Sequence, residues 1–112
     1  MKQFWETTSN TWLNGELIDK PASVFTASSS LHGGNESTLL TMMIPLLHHG
    51  MIIQGLPYTE PSLHQTTTGG TPYGASHVSG MTSNATLTLD EKTLCQAQGR
   101  RMGLLVKQLQ QP

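Results

Sequence analysis

The side chains from which chemistry could be built are five histidines, one cysteine, two tryptophans and a run of small hydroxyl-bearing residues. The densest group is the loop Ala27-Ser28-Ser29-Ser30-Leu31-His32-Gly33-Gly34, which leads into Asn35. Between a strand and a helix, backbone N–H groups and small hydroxyls can face a ligand, and a helix N-terminus favours a negative one. An ordinary strand-to-helix connection suits glycine and serine equally well, so both readings stand. His48-His49-Gly50 reads as a helix C-terminus, with polar rings at the negative end of the dipole and a glycine after them. Adjacent histidines are not metal-ligand spacing, and no C-x-x-C or H-x-x-x-H pattern occurs, so a zinc site is not expected. Cys95 falls on a helical stripe with no basic neighbour nearer than Lys92 and reads as a core residue, not a nucleophile. Asn35-Glu36-Ser37 and Asn84-Ala85-Thr86 match the N-glycosylation pattern, which carries no meaning without a secretion signal.

The elements that must position these residues follow from periodicity. Met1, Phe4, Trp5 and Thr8 have the spacing of a helix laid on a core, ending near Ser9-Asn10, with Asn14-Gly15 as the following turn. No capping residue precedes this helix, which therefore reads as cut. Ala22 to Thr26 has little polar alternation and suits a strand covered on both faces. Leu39, Met42, Met43, Leu46 and Leu47 form the clearest helical stripe; Pro45 inside it predicts a kink or an early end. Met51-Ile52-Ile53 is a second buried strand, completing a βαβ unit with a right-handed crossover. From Gly55 to Ala85 the chain is turn-rich, a length that usually means function or packing against a partner. Thr88 and Glu91 form a capping box, opening a helix whose face carries Cys95, Met102, Leu105, Val106 and Leu109. Two strands with three helices leave an apolar strand edge unpaired, so the chain reads as one side of a larger sheet.

Composition sets bounds on function. At 112 residues there is room for one modest core. A hydrophobic share of 36% with only 12% charged residues argues against disorder and for a surface partly covered by other protein. The net charge of −1 gives no basic footprint for nucleic acid or membrane. One cysteine excludes an intramolecular disulfide, and no signal region follows Met1, so a soluble cytoplasmic chain is expected.

Three stretches taken in order are Thr26 to Asn35, Pro45-Leu46-Leu47-His48-His49-Gly50-Met51, and Gly69-Gly70-Thr71-Pro72-Tyr73-Gly74-Ala75-Ser76-His77. Together they resemble the WrbA family of flavodoxin-like, FMN-dependent NAD(P)H:quinone oxidoreductases, over essentially the whole chain. The resemblance implies a partial three-layer α/β fold whose Ala22 to Thr26 is the fourth strand of five and whose Met51 to Ile53 begins the fifth. The chain would be the C-terminal half, 1–112 forming one part-domain, without the loop that wraps the FMN phosphate or the loop that grips the ring from the third strand. It further implies that Ala27, Ser28, Ser29, Ser30, Leu31, His32 and Gly33 run along the flavin's ring and ribityl side. The family often has more glycine where Ser28 to His32 stand. By the same resemblance His48 reaches the flavin, Trp12 lines the cavity where nicotinamide or quinone enters, and Tyr73 and His77 wall that cavity or a subunit interface. Set against these, His48-His49 could be only a helix cap pair, and Trp12 a core or interface aromatic. The implied reaction is two-electron quinone reduction with NAD(P)H as donor, in a tetramer. Two rival readings remain open: an inactive fragment that serves only as an oligomerising module, and a small anion-binding module built on the loop before Asn35.

Overall fold

In the computed structural model, which describes residues 2–81 and 86–111, the strand expected at Ala22 to Thr26 runs further and pairs in two halves. Its first half, β1 (Pro21–Ala22), lies parallel to β3 (Ile52–Ile53); its second half, β2 (Phe25–Ser28), lies parallel to β4 (Ala75–Val78). The second line of strand thus leaves the ladder after Ile53 and rejoins it at Ala75. The structure agrees with an α/β fold of two parallel lines of strand, each broken into two short pieces. Among the described residues five helices accompany them: α1 (Lys2–Glu6), α2 (Ser9–Leu13), α3 (Asn35–His48), α4 (Ser62–Gln65) and α5 (Leu89–Gln110). Met1 of the first helical stripe and Asn84-Ala85 of the second glycosylation pattern lie outside the described residues.

The excursion over residues 54–74 is tied at its neck. Leu56 N–H donates to Pro72 O (2.9 Å), and Thr71 and Gly74 exchange two backbone bonds of 3.2 Å. At Gly74 the returning chain presses so close to Val24 that any Cβ would collide with the Val24 carbonyl oxygen. The rung missing between the two strand halves is supplied by a side chain. Gln98 of α5, 7% exposed, accepts from Ala75 N–H at Oε1 (2.6 Å) and donates from Nε2 to Val24 O (2.9 Å). One amide side chain therefore satisfies a donor and an acceptor that the break would otherwise orphan.

Helix α3 runs through Pro45 to His48, so the early end expected there does not occur. Its C-terminus explains why. Gly50, at φ 77°, lets Gly50 N–H reach Leu47 O (3.0 Å) and Met51 N–H reach Leu46 O (3.1 Å), the two bonds of a Schellman close. Those bonds need Leu46 and Leu47 in helical conformation, which carries the helix past the proline. The N-terminal helix divides instead of ending: Thr7 and Thr8 hydroxyls back-bond to Phe4 O and Trp5 O, and α2 starts at Ser9. Ala22 and Val24 alternate toward α3 and pack with Leu39 and Leu46, with Trp5, Met43 and Ile53 against them. A second cluster, Leu56, Leu94 and Ala97, lies under α5 with Leu63 of α4. The molecule is a plate 19 Å thick, and its 15.2 Å radius of gyration exceeds the roughly 13 Å of a compact chain near this size.

The buried face of α5 is Glu91, Leu94, Ala97 and Gln98. Cys95 and Leu109 of the expected stripe are exposed, because the two polar anchors Glu91 and Gln98 set the helix's rotation. The Cys95 thiol is held above its usual range by burial of its sulfur side and by the Glu91 carboxylate, so exposure does not make it a thiolate. Glu91 itself is fully enclosed. The expected capping box is present: Glu91 N–H donates to Thr88 Oγ1 (3.2 Å) and Thr88 N–H to Glu91 Oε1 (2.8 Å). The same carboxylate also receives Val78 N–H (2.8 Å) and Gly69 N–H (3.0 Å) on Oε2, and lies 3.0 Å from His77 Nδ1.

Burial raises the Glu91 pKa, but the bonds from Thr88, Val78, His77 and Gly69 more than offset that and hold it at about 2, against 4.5 unperturbed. A depressed carboxyl pKa stabilises the fold above pH 4.5 and loses that stabilisation as pH falls to about 2. Urea unfolding across that window should therefore show stability falling with acid by about 3 kcal/mol. Glu91→Gln should cost a similar amount at pH 7 and should flatten the pH dependence. An unchanged slope in the variant would place the linkage on another group.

Candidate functional site

Two depressions flank α3. The larger, about 960 Å³ and mainly apolar, is an open groove between α1–α2 and the outer flank of α3. Trp5, Trp12, Met42, Pro45, His48 and His49 supply its character. The smaller, about 340 Å³ and mainly polar, lies between the amino end of α3 with the loop before it and the segment Thr68 to Ser76, which leads into β4. Ser37 lines both, so the two meet across the first turn of α3.

The groove holds two of the expected site residues in contact. Trp12 Nε1 donates to the His48 backbone oxygen (2.8 Å), which fixes the indole over the end of α3. Trp12 is half-exposed and His48 exposed, so both present surface to solvent. Sequence reasoning missed the deeper pair. His49 is 6% exposed; its Nε2 meets Thr8 Oγ1 (3.0 Å), while Nδ1 has no partner. Trp5 packs its ring 5.7 Å from the His49 ring, and its Nε1 is likewise buried without a partner. Each such group costs about 1–3 kcal/mol of unmet hydrogen bonding. The helical spacing of Trp5 was visible in the sequence, but not that its N–H would end beside His49.

The loop residues are distributed differently. Leu31 and His32 line the polar cavity, whereas Ala27, Ser28, Ser29, Ser30 and Gly33 line neither depression. Ser28 Oγ donates to Ser30 O (2.8 Å) and Gly33 N–H to Ser30 O (3.1 Å), so the loop is folded on itself with its outer face open. Opposite it, Ser76 Oγ accepts from Gly70 N–H (2.7 Å), and Thr71 Oγ1 donates to Gly74 O and accepts from Tyr73 N–H. Tyr73 and His77 enter neither cavity; His77 is committed to Glu91. Among the described residues, no group of three His, Cys, Asp or Glu could hold a metal ion, and no helix is long and apolar enough to cross a membrane.

A parallel α/β half-sheet with these helices is compatible with part of a flavodoxin-like fold. No family model matches the chain. It is 43% identical over 97% of its length to an NAD(P)H dehydrogenase (quinone) of Syntrophobacter fumaroxidans, of which it covers 54%. It is 40% identical over 97% of its length to the protein of that name from Methanosarcina barkeri, covering 53% of it. Against the Geobacter sulfurreducens protein the identity is 49% over 71% of this chain and 40% of that one. The chain belongs to the family of proteins named NAD(P)H dehydrogenase (quinone) and spans about half the length of the curated relatives it matches.

The groove carries both tryptophans, so an apolar ring entering it should quench indole fluorescence. Trp12→Phe should remove part of that quenching and lower stability by about 1 kcal/mol or less, one net hydrogen bond at an exposed site. Quenching unaffected by either Trp12→Phe or Trp5→Phe would locate the ring elsewhere.

Proposed function

We propose that this chain is the carboxyl-terminal part of an FMN-dependent NAD(P)H:quinone oxidoreductase of the WrbA type, working in an oligomer. The observation that carries the reading is 37–49% identity to proteins named NAD(P)H dehydrogenase (quinone). The groove adds chemical support. A quinone is a flat apolar ring, and the groove offers it the indole rings of Trp5 and Trp12.

The residues present fit one side of a flavin. Ala27 to Gly33 offer hydroxyls and backbone amides at the end of β2 and after it, with an open outer face. When bound, FMN would supply the two-electron chemistry itself, accepting hydride from the nicotinamide and returning electrons to the quinone. On this reading the loop orients the ring edge, His48 extends the wall toward it, and Trp12 shields the entering ring from water. Without the phosphate-wrapping loop, several charge-assisted bonds are missing, each worth about 1.5–3 kcal/mol. Losing three would weaken FMN binding about a thousandfold or more.

A second reading, an oligomerising module without catalysis, rests on the exposed flank Leu40, Ile44 and Leu47 of α3 and on Phe25, 72% exposed on β2. FMN titration followed by flavin fluorescence separates the two. The oxidoreductase reading expects weak FMN binding by the chain alone, tightening together with quinone reduction when the amino-terminal half of a full-length relative is added in trans. A folded chain that gains neither with that partner would leave the module reading.

A further inference from the structure

The amino end of α3 is built in a way the oxidoreductase reading does not use. Its N-cap, Gly34, sits at φ 85° in the left-handed region, and no side chain caps the helix. Thr38 N–H is the first to find a partner, at Gly34 O (2.9 Å); the amides of Asn35, Glu36 and Ser37 before it reach no acceptor among the described residues. A left-handed residue followed by right-handed ones turns successive N–H groups into one concavity, which is an anion-binding geometry. The positive end of a 14-residue helix adds to it. That concavity opens on the polar cavity of about 340 Å³.

A second observation is independent of the helix end. Asn35, 7% exposed, stands in the cavity wall with its Oδ1 sealed from water and unpartnered. Unbonded amide N–H groups call for an acceptor, and an orphaned carbonyl oxygen calls for a donor. One small ligand meets both demands if it carries oxyanion oxygens and a hydroxyl on the same centre. Of the residues lining the cavity only His32 and Glu36 can ionise; both are exposed at its edge. The Glu36 carboxylate opposes an anion there.

We propose that the amino end of α3 binds a singly protonated phosphate group, its oxygens accepting from the Asn35 to Ser37 amides and its P–OH donating to Asn35 Oδ1, which turns from its buried position into the cavity. Thr68, Thr71 and Ser76 close the far side with hydroxyls. The group could arrive as free phosphate or as the phosphoryl end of a nucleotide.

Titration of inorganic phosphate into the 112-residue chain, followed by amide NMR, tests this. Shifts should centre on Gly34 to Ser37 and on Gly70 to Ser76. Sulfate, which has no proton to donate at neutral pH, should bind several-fold more weakly. Asn35→Ala removes no bond within the protein and should weaken phosphate about three- to tenfold, one hydrogen bond's worth. Glu36→Gln should tighten it about threefold by removing a nearby like charge. If AMP competes with phosphate and riboflavin does not, a nucleotide's phosphoryl end is the source; competition by neither leaves free phosphate as the ligand. Absence of phosphate shifts in the folded chain, equal affinity for sulfate, or insensitivity to both substitutions would overturn the proposal. The phosphate titration itself needs neither flavin nor quinone, so failure here leaves the flavin reading untouched, and failure of that reading leaves this site standing.

Discussion

One carboxylate ties the moving parts of this chain together. Glu91 begins as the third residue of an ordinary helix, where its bond to Thr88 N–H would be only half of a capping box. Its second oxygen takes Val78 N–H from the end of β4 and Gly69 N–H from the excursion, and the first also meets His77. A helix start, a strand end and a loop neck are thus fixed to one buried charge. A buried carboxylate is costly alone, and here the donors outnumber what one acceptor oxygen could use. Gly69 has to be glycine for this arrangement, since a Cβ would strike both the Ser76 carbonyl and the Glu91 carboxylate. Seven residues on, two helical turns along the same face, Gln98 repeats the logic with an amide. Between them these two polar side chains hold β4 in register with β2.

That dependence explains which parts of the fold could be read in advance. Helix α3, its glycine close and the capping box of α5 are local: each is encoded by residues within a few positions, and the structure agrees with them. β4 was hidden inside a segment read as turns. Ala75-Ser76-His77-Val78 has neither alternation nor a β-branched run, and its pairing comes from β2, far away in the chain, and from the Glu91 and Gln98 bonds. The rotation of α5 was misjudged for the same reason. A hydrophobic pattern puts Cys95 and Leu109 inside, but the helix is oriented by Glu91 and Gln98, which such a pattern treats as solvent-facing. Pro45 misled in the other direction, because the downstream Schellman bonds outweigh the loss of one internal donor.

The resemblance puts the loop from Ala27 to Gly33 and His48 at the flavin and Trp12 where nicotinamide or quinone enters; the structure adds which of them share a depression beside α3. Trp12 and His48 share a hydrogen bond on the apolar side, and Leu31 and His32 belong to the polar side. Nothing in the sequence pattern marks Asn35 or His49, whose interest lies in bonds they do not make. Unmet polar atoms are a property of packing, so they become visible only when the neighbours are in place.

Helix α3 is therefore the element through which the two depressions can speak to each other. Its flank walls the apolar groove from Ser37 to His49, and its first turn walls the polar cavity from Gly34 to Ser37. Both ends are held from outside the helix: the Schellman close anchors Leu46 and Leu47 to Gly50 and Met51, while Leu39 is packed completely against Ala22 and Val24. A close-packed helix of this kind moves as a unit or not at all. Its first three amides have no cap to lose, so a ligand there adds bonds without breaking any. Occupancy of the amino end is thus free to stiffen the turn that carries Ser37, and Ser37 is where the two walls join.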